Sequence, residues 1–375
     1  MKILLTGGGT GGHVYPIIAI AQEINEIKRE NKLVDVELYY MSPTPYNEGE
    51  LFNNNLIYKK NYAGKYRRYF SILNFFDLFK TAWGIIKSLW DIYLIYPDVV
   101  FGKGGYASFP ALLAARLLRI PVVIHESDSE PGRVNLWAGK FAEKVAISYP
   151  EAAKYFKQEK VAYTGNPIRK DLFLPLTANA HEFLNLDKNL KTIFVLGGSL
   201  GAQAINEVMM EALPKLLEKY QIIHQTGKKN FEEVKKISDA VLSTSLHKYR
   251  YHLHDYLDNL AMRSAAGAAN IIISRAGSTI FEIAAWKVPA IIIPISEAVS
   301  HDQVKNAFAY ARTGAAIVIE ENNLTGNILY AEIERILNSE ETVTKMKEAS
   351  TQFVKGDAAR KIAEELVKIS LRHEL

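Results

Sequence analysis

The chain contains no cysteine. Disulfide scaffolds, thiolate nucleophiles and cysteine-bound zinc are therefore excluded, and a reducing compartment is compatible with the composition. It also lacks an uncharged apolar run long enough to cross a bilayer. Met1-Lys2 leads straight into an apolar strand, so no signal peptide is expected. A strong excess of one charge is missing too. The net charge of +4 and pI near 8.8 suit an anionic substrate or a membrane surface, but are too small to argue for nucleic acid. Low-complexity segments and short repeats are absent. What remains is a chain of 375 residues, 48% hydrophobic, enough for two domains with sizeable cores.

The richest stretch is Leu4-Leu5-Thr6-Gly7-Gly8-Gly9-Thr10-Gly11-Gly12-His13-Val14-Tyr15-Pro16. An apolar run precedes it and a helical pattern from Ile17 follows it, so it reads as a strand–loop–helix unit. Glycines let backbone amides approach a ligand closely, and a helix start favours negative charge. Binding of a phosphorylated group is the expectation, with a tight turn and no ligand as the alternative. The spacing Gly7-x-Gly9-x-x-Gly12 also matches the dinucleotide fingerprint. That fingerprint calls for an acid after the second strand, whereas Val36–Met41 ends in Ser42. His13 instead places a titratable imidazole where a reacting group would sit.

Apolar strands and helical stretches then alternate, as in a parallel sheet covered by helices. Residues 65 to 96 are unusual. Phe75, Phe79, Trp83, Ile86, Trp90 and Tyr93 form one helical stripe, and Ile72, Phe76, Leu89 and Ile92 a second apolar row. Lys65, Arg67, Arg68, Lys80 and Lys87 lie about them. Such a helix is either buried in its own domain or touches membrane lipid. The strand Pro121–Glu126 runs into Ser127-Asp128-Ser129-Glu130, where alternating acids form either a metal site or a polar ligand-facing loop. Gly165-Asn166-Pro167 fits a domain junction. The expected domains are 1–164 and 165–355, with a C-terminal helix over 356–375 joining the first. The plan restarts at Thr192–Leu196 with a second glycine loop, Gly197-Gly198-Ser199-Leu200-Gly201. Further strand ends carry Arg275 and then Glu282. His252 and His254 alternate without a third ligand at metal spacing, so they read as surface or core residues. Two α/β domains of this kind imply a cleft between strand carboxyl ends.

Seven motifs in this order resemble the MurG family of glycosyltransferases. They are the first glycine loop through Pro16, Gly104-Gly105-Tyr106, His125-Glu126-Ser127-Asp128, Gly165-Asn166-Pro167-Ile168-Arg169, Gly197-Gly198-Ser199, Ser274-Arg275-Ala276-Gly277 and Gln303-x-x-Asn306-Ala307. The resemblance implies a GT-B fold of two Rossmann-like parallel-sheet α/β domains facing across a cleft. It implies UDP-N-acetylglucosamine as donor and the undecaprenyl-linked muramyl-pentapeptide, lipid I, as acceptor. The product would be lipid II, made at the cytoplasmic face of the membrane by a peripheral enzyme at an anionic surface, with no cofactor. By the family pattern Thr10, Gly11 and Gly12 line the donor site from the first domain, with Asp128 and Arg169 nearby. Ser199 meets the diphosphate, Leu257 the uracil and Glu282 the ribose, while Gln303 and Asn306 orient the sugar. Ser278 and Thr279 belong to the same donor loop. The stretch from Arg275 to Glu282 is one residue shorter than the family pattern, so Ser278, Thr279 and Ile280 align with it only to within one position, while Glu282 aligns by the following Ile-Ala-Ala. Asp128 stands where relatives carry either Asn or Asp.

Sugar transfer needs a stabilised leaving diphosphate and a base for the attacking hydroxyl. Loop amides and a helix dipole supply the first. His13 is the candidate base, with a structural or acceptor-positioning role as its alternative, and Glu126 is the next candidate. The rival readings are a transferase for another lipid acceptor, a UDP-sugar epimerase, an NAD-dependent oxidoreductase and a nucleotide-sugar-binding module.

Overall fold

The computed structural model describes residues 1–65, 73–197, 202–296 and 301–372. Arg67, Arg68, Tyr69, Phe70 and Ile72 of the aromatic stretch lie outside the described residues, as do Gly198, Ser199, Leu200 and Gly201 of the second glycine loop. The chain forms two compact units, Met1–Lys170 with Lys355–Leu375, and Asp171–Val354.

The first unit is built on seven parallel strands: β1 (Lys2–Thr6), β2 (Glu37–Ser42), β3 (Leu56–Lys60), β4 (Val99–Gly102), β5 (Val122–Glu126), β6 (Lys144–Ile147) and β7 (Val161–Tyr163). Their spatial order is β3-β2-β1-β4-β5-β6-β7. β4 and β5 are buried along their whole length, which is why Val-Val-Phe-Gly and Val-Val-Ile show no alternation. The edge strand β3, Leu-Ile-Tyr-Lys-Lys, carries half-exposed and charged residues and gave no clear strand pattern. Helix Gly11–Glu30 buries Val14, Ile17, Ile18, Ile20 and Ile24 against β1 and β2. The C-terminal helix Ala358–Arg372 joins the same core through Ile362, Leu366 and Ile369.

The second unit repeats the plan with six parallel strands: β8 (Thr192–Leu196), β9 (Gln221–Gln225), β10 (Tyr251–His254), β11 (Ala269–Ser274), β12 (Ala290–Ile292) and β13 (Ala316–Val318), in the order β10-β9-β8-β11-β12-β13. Helices Gln203–Leu216 and Gly326–Leu337 cover one face through Ile205, Met209, Leu213, Leu329 and Ile333.

The aromatic stretch becomes the helix Leu73–Ile95. Ile92 is fully buried and Leu89 packs on the core, but Phe75, Phe79, Trp83, Ile86, Trp90 and Tyr93 are each about 60% exposed. Phe76, expected beside Ile92, is exposed as well. The stripe that could have been core is therefore surface. Among the described residues no helix is long and apolar enough to cross a membrane.

Candidate active site

In each unit the strand order reverses at one place. β1 lies between β2 and β4, and β8 lies between β9 and β11. Ligands of open parallel sheets bind beyond the carboxyl ends of such neighbours.

At the first reversal the chain leaves β1 through Gly7–Thr10 and enters helix Gly11–Glu30. Thr10 is the extended N-cap, and its side chain makes no capping bond; its carbonyl accepts from the amides of His13 at 3.1 Å and Val14 at 3.3 Å. Gly11 is buried and Gly12 half-buried behind it. A helix start without a side-chain cap keeps its orphan amides for another acceptor.

His13 is half-buried in the first helical turn. The loop after β4 closes over it: a Cβ on Gly105 would stand 3.3 Å from the His13 Nε2, and Gly105 has φ +75°. Glycine is required there both for the left-handed backbone and for the close approach. The His13 Nδ1 is buried without a hydrogen-bond partner. Burial first, and then the positive charge of Lys103, pushes the imidazole down to about 4, while the Lys103 main chain opposes them. The ring is therefore neutral near pH 7.

Glu126 ends β5 at 3% exposure. Its carboxylate accepts from the Asp128 amide at 2.9 Å, the Gly132 amide at 3.1 Å and the Asn135 Nδ2 at 2.9 Å. It thus closes the turn that carries half-buried Asp128. Burial, then Asp128, raises the Glu126 carboxyl to about 7, against the opposing pull of Asn135, the Asp128 amide and Lys103. Glu130, the third alternating acid, accepts from the Tyr155 hydroxyl at 3.5 Å. Among the described residues no three His, Cys, Asp or Glu side chains converge as a metal site. His125 does not face a ligand: its Nε2 donates to the Gly165 carbonyl at 3.0 Å, tying β5 to the segment that leaves the unit. Arg169 is 5% exposed, pairs with Glu50 at 3.4 Å and lies 3.9 Å over the Tyr15 ring. Tyr15 is two residues beyond His13, so Arg169 reaches the same helix start.

Sequence reasoning passed over Lys103. A lysine between glycines reads as an exposed turn, yet Lys103 is 1% exposed and its Nζ has no hydrogen-bond partner. The one signal was its place directly after a wholly apolar strand.

In the second unit Ser199 lies outside the described residues. After β11, Arg275 donates to the carbonyls of Ile293 at 3.2 Å and Pro294 at 3.3 Å and pairs with Glu321 at 2.6 Å. It is engaged in holding loops together. Ser278 is the N-cap of helix Thr279–Trp286 without a side-chain capping bond, Thr279 is its first residue, and Glu282 sits half-buried in its first turn. Gln303 accepts from the Ile295 amide at 3.3 Å, and Asn306, one turn on in helix His301–Ala311, is 3% exposed. Leu257 stands apart from these, beyond the edge strand β10. Its amide donates to the Gln225 Oε1 at 3.1 Å. With His252, His254, Tyr256 and Phe183 it lines a cavity of about 440 Å³. The histidine pair is therefore half-buried in a cavity wall.

Family models described as the glycosyltransferase family 28 N-terminal and C-terminal domains match residues 3–147 and 192–366. A Clostridium perfringens protein named UDP-N-acetylglucosamine--N-acetylmuramyl-(pentapeptide) pyrophosphoryl-undecaprenol N-acetylglucosamine transferase is 36% identical over 349 residues, 92% of this chain and 93% of its own. The crystal structure of Acinetobacter baumannii MurG superposes with a TM-score of 0.72 at 25% identity, covering 98% of this chain and 99% of that one. A UDP-GlcNAc 2-epimerase from Neisseria meningitidis reaches a TM-score of 0.67 at 16% identity, covering 98% and 100%, and so shares the fold.

Proposed function

This chain belongs to glycosyltransferase family 28, and from that premise we propose how it carries out its reaction. It is a GT-B hexosyltransferase that moves N-acetylglucosamine from UDP-N-acetylglucosamine to the muramyl sugar of lipid I, forming lipid II for peptidoglycan. The observation that carries this reading is the 36% identity to a transferase of that name across 92% of the chain.

The C4 hydroxyl oxygen of the acceptor forms a bond to C1 of the donor sugar. The bond from C1 to the diphosphate oxygen breaks, and UDP leaves with the electron pair. Direct displacement inverts the anomeric centre and gives a β-linkage. His13 takes the hydroxyl proton. Its support is a neutral imidazole in the first turn of the helix at the strand reversal. Glu126 is the weaker candidate for base, because its oxygens already accept three hydrogen bonds. The amides beyond Thr10, at Gly11 and Gly12, stabilise negative charge from the first unit, with Asp128 and Arg169 beside them. On the second unit Ser199 serves the diphosphate, Leu257 the uracil, Glu282 the ribose, and Gln303 and Asn306 the sugar, with Ser278 and Thr279 in the same donor loop.

The acceptor carries a long lipid, so the enzyme works peripherally at the anionic cytoplasmic face of the membrane. The exposed aromatic stripe of helix Leu73–Ile95, with exposed Lys65 and Lys80 near it, supports that placement. Incubation with labelled UDP-N-acetylglucosamine and a lipid I analogue tests the reaction. A β-linked disaccharide-lipid is expected. Transfer only to another lipid, or epimerised UDP-sugar without any acceptor, would replace this reading.

A further inference from the structure

We propose that Lys103 is a positioning residue of the transfer step, a buried cation at the tip of β4 that faces the His13 imidazole on one side and the Glu126–Asp128 turn on the other. This rests on the reading of His13 as base. The position is set by the sheet, since the Lys103 amide donates to the Thr6 carbonyl at 2.9 Å and so extends the pairing of β1 with β4. Gly7 leaves the space for it: a Cβ there would stand 3.0 Å from the Lys103 Cβ. The side chain is 1% exposed, and the two glycines after it approach the groups on either side: a Cβ on Gly105 would stand 3.3 Å from the His13 Nε2, and one on Gly104 2.7 Å from the Asn135 Nδ2 that donates to Glu126.

A fully buried ammonium without a hydrogen-bond partner is costly to keep, and a structural role would be filled better by an apolar side chain of that length. The groups around it account for its retention. From β5 and its turn, Glu126 and Asp128 attract it, and neutral His125 lies among them; from the helix start comes His13. From β2, the Tyr40 hydroxyl donates to the Gly7 carbonyl at 3.0 Å and is held neutral by burial. Burial draws the Lys103 ammonium down to about 8, with the two carboxylates resisting. While it is charged it does two things. It adds to burial in lowering the His13 imidazole, and so sets the pH at which the ring loses its proton-accepting form. It also favours the ionised Glu126 that holds the turn of Asp128. Removing the cation raises both groups, so a lysine change should reach the reaction without touching substrate.

The test uses the full chain with labelled histidine and lysine side chains. In Lys103→Met the His13 ring resonance should titrate about one pH unit higher than in the parent, the scale of a neighbouring charge. The acid limb of kcat/KM should rise with it, while donor KM stays within about twofold, as for a change that spares ground-state binding. Lys103→Arg, which stays charged, should return the limb toward the parent position. A folded Lys103→Met variant whose His13 titration and acid limb are both unmoved overturns the role. If Lys103→Met does not fold, the parent carries the test. Its Lys103 ε-carbon should titrate near pH 8, and the His13 ring resonance should step at the same pH; a ring signal blind to that step overturns the proposal. A parent chain that transfers no sugar defeats the reaction reading itself. An active parent with an unmoved Lys103→Met profile defeats only the role of Lys103.

Discussion

The two units share a strand order and a strand–glycine loop–helix opening, yet their strand reversals are furnished differently. Around β1 and β4 the side chains are titratable and buried: His13, Lys103 and Glu126, each pushed from its ordinary range mainly by burial. Around β8 and β11 the charged group that follows the strand, Arg275, is neutralised by Glu321 and two carbonyls. The buried histidine of that sheet, His224, is bonded at 3.0 Å to Asn206 and at 2.8 Å to Tyr251. Among the described residues, one copy thus gathers buried, shifted titratable groups at its strand reversal, whereas Arg275 and His224 of the other are paired. Burial pushes the paired His224 down to about 3 as well, so a shift alone does not mark chemistry; what sets the first reversal apart is Lys103, whose buried Nζ has no hydrogen-bond partner. The division predicts that changes in the first unit reach turnover and changes in the second reach donor affinity.

The largest expected effect is at His13. Its replacement by alanine should lower kcat by roughly 10²–10⁴-fold, the usual contribution of general base catalysis. Donor affinity measured by calorimetry should stay close to that of the parent. Near-normal turnover at saturating substrates would leave the first unit without its chemical role and collapse the contrast.

Much of this contrast was legible in the chain. The doubled plan, both glycine loops and His13 stood out because their signals are local: apolar runs, glycine clusters, a helical period. Glu282, Gln303 and Asn306 are singled out by motif order alone. What escaped depends on what the sheet does to a residue. Lys103 looks like a turn lysine until the pairing of β1 with β4 buries it. His125 reads only as a motif residue at a strand end until its bond to Gly165 shows it holding the chain together. Arg275 reads only as a charged residue at a strand end until Glu321, 46 residues later in the chain (321 − 275), pairs with it. Strand β3 was invisible because an edge strand need not be apolar.

The next effect in size tests the second unit. Glu282→Ala should weaken UDP-N-acetylglucosamine binding by about 1.5–3 kcal/mol, the range for a hydrogen bond to a charged group. Because the carboxylate is assigned to the ribose and not to the reacting carbon, kcat at saturating donor should change much less. Calorimetry and steady-state kinetics on the same preparation separate the two. Unchanged affinity removes Glu282 from the site. A fall in kcat with affinity intact would put chemistry in the donor-binding unit as well.

The smallest effect per residue concerns a second asymmetry, in the helix that links the third strand of each sheet to the fourth. In the second unit this is Asn259–Ala268, ten residues whose Ser264, Ala265, Ala266 and Ala268 are buried. In the first it is Leu73–Ile95, 23 residues long, with Phe75, Phe79, Trp83, Trp90 and Tyr93 left about 60% exposed. Nothing in the shared plan calls for the added length or the aromatic face, so they belong to a task of the first unit alone. If that task is docking on the membrane that holds the acceptor, the protein should pellet with anionic vesicles and much less with neutral ones. Exposed Lys65 and Lys80 should contribute about 1 kcal/mol each at an anionic surface, and the aromatics an apolar part that salt does not screen. Lys65→Glu with Lys80→Glu should therefore weaken pelleting most at low salt. Trp83→Ser with Trp90→Ser should weaken it at every salt concentration. Both double variants should keep their activity on a soluble short-chain acceptor. Parental pelleting by the tryptophan variant would show that the stripe faces something other than lipid. Loss of activity on the soluble acceptor would instead make the stripe part of the folding or substrate machinery of its unit.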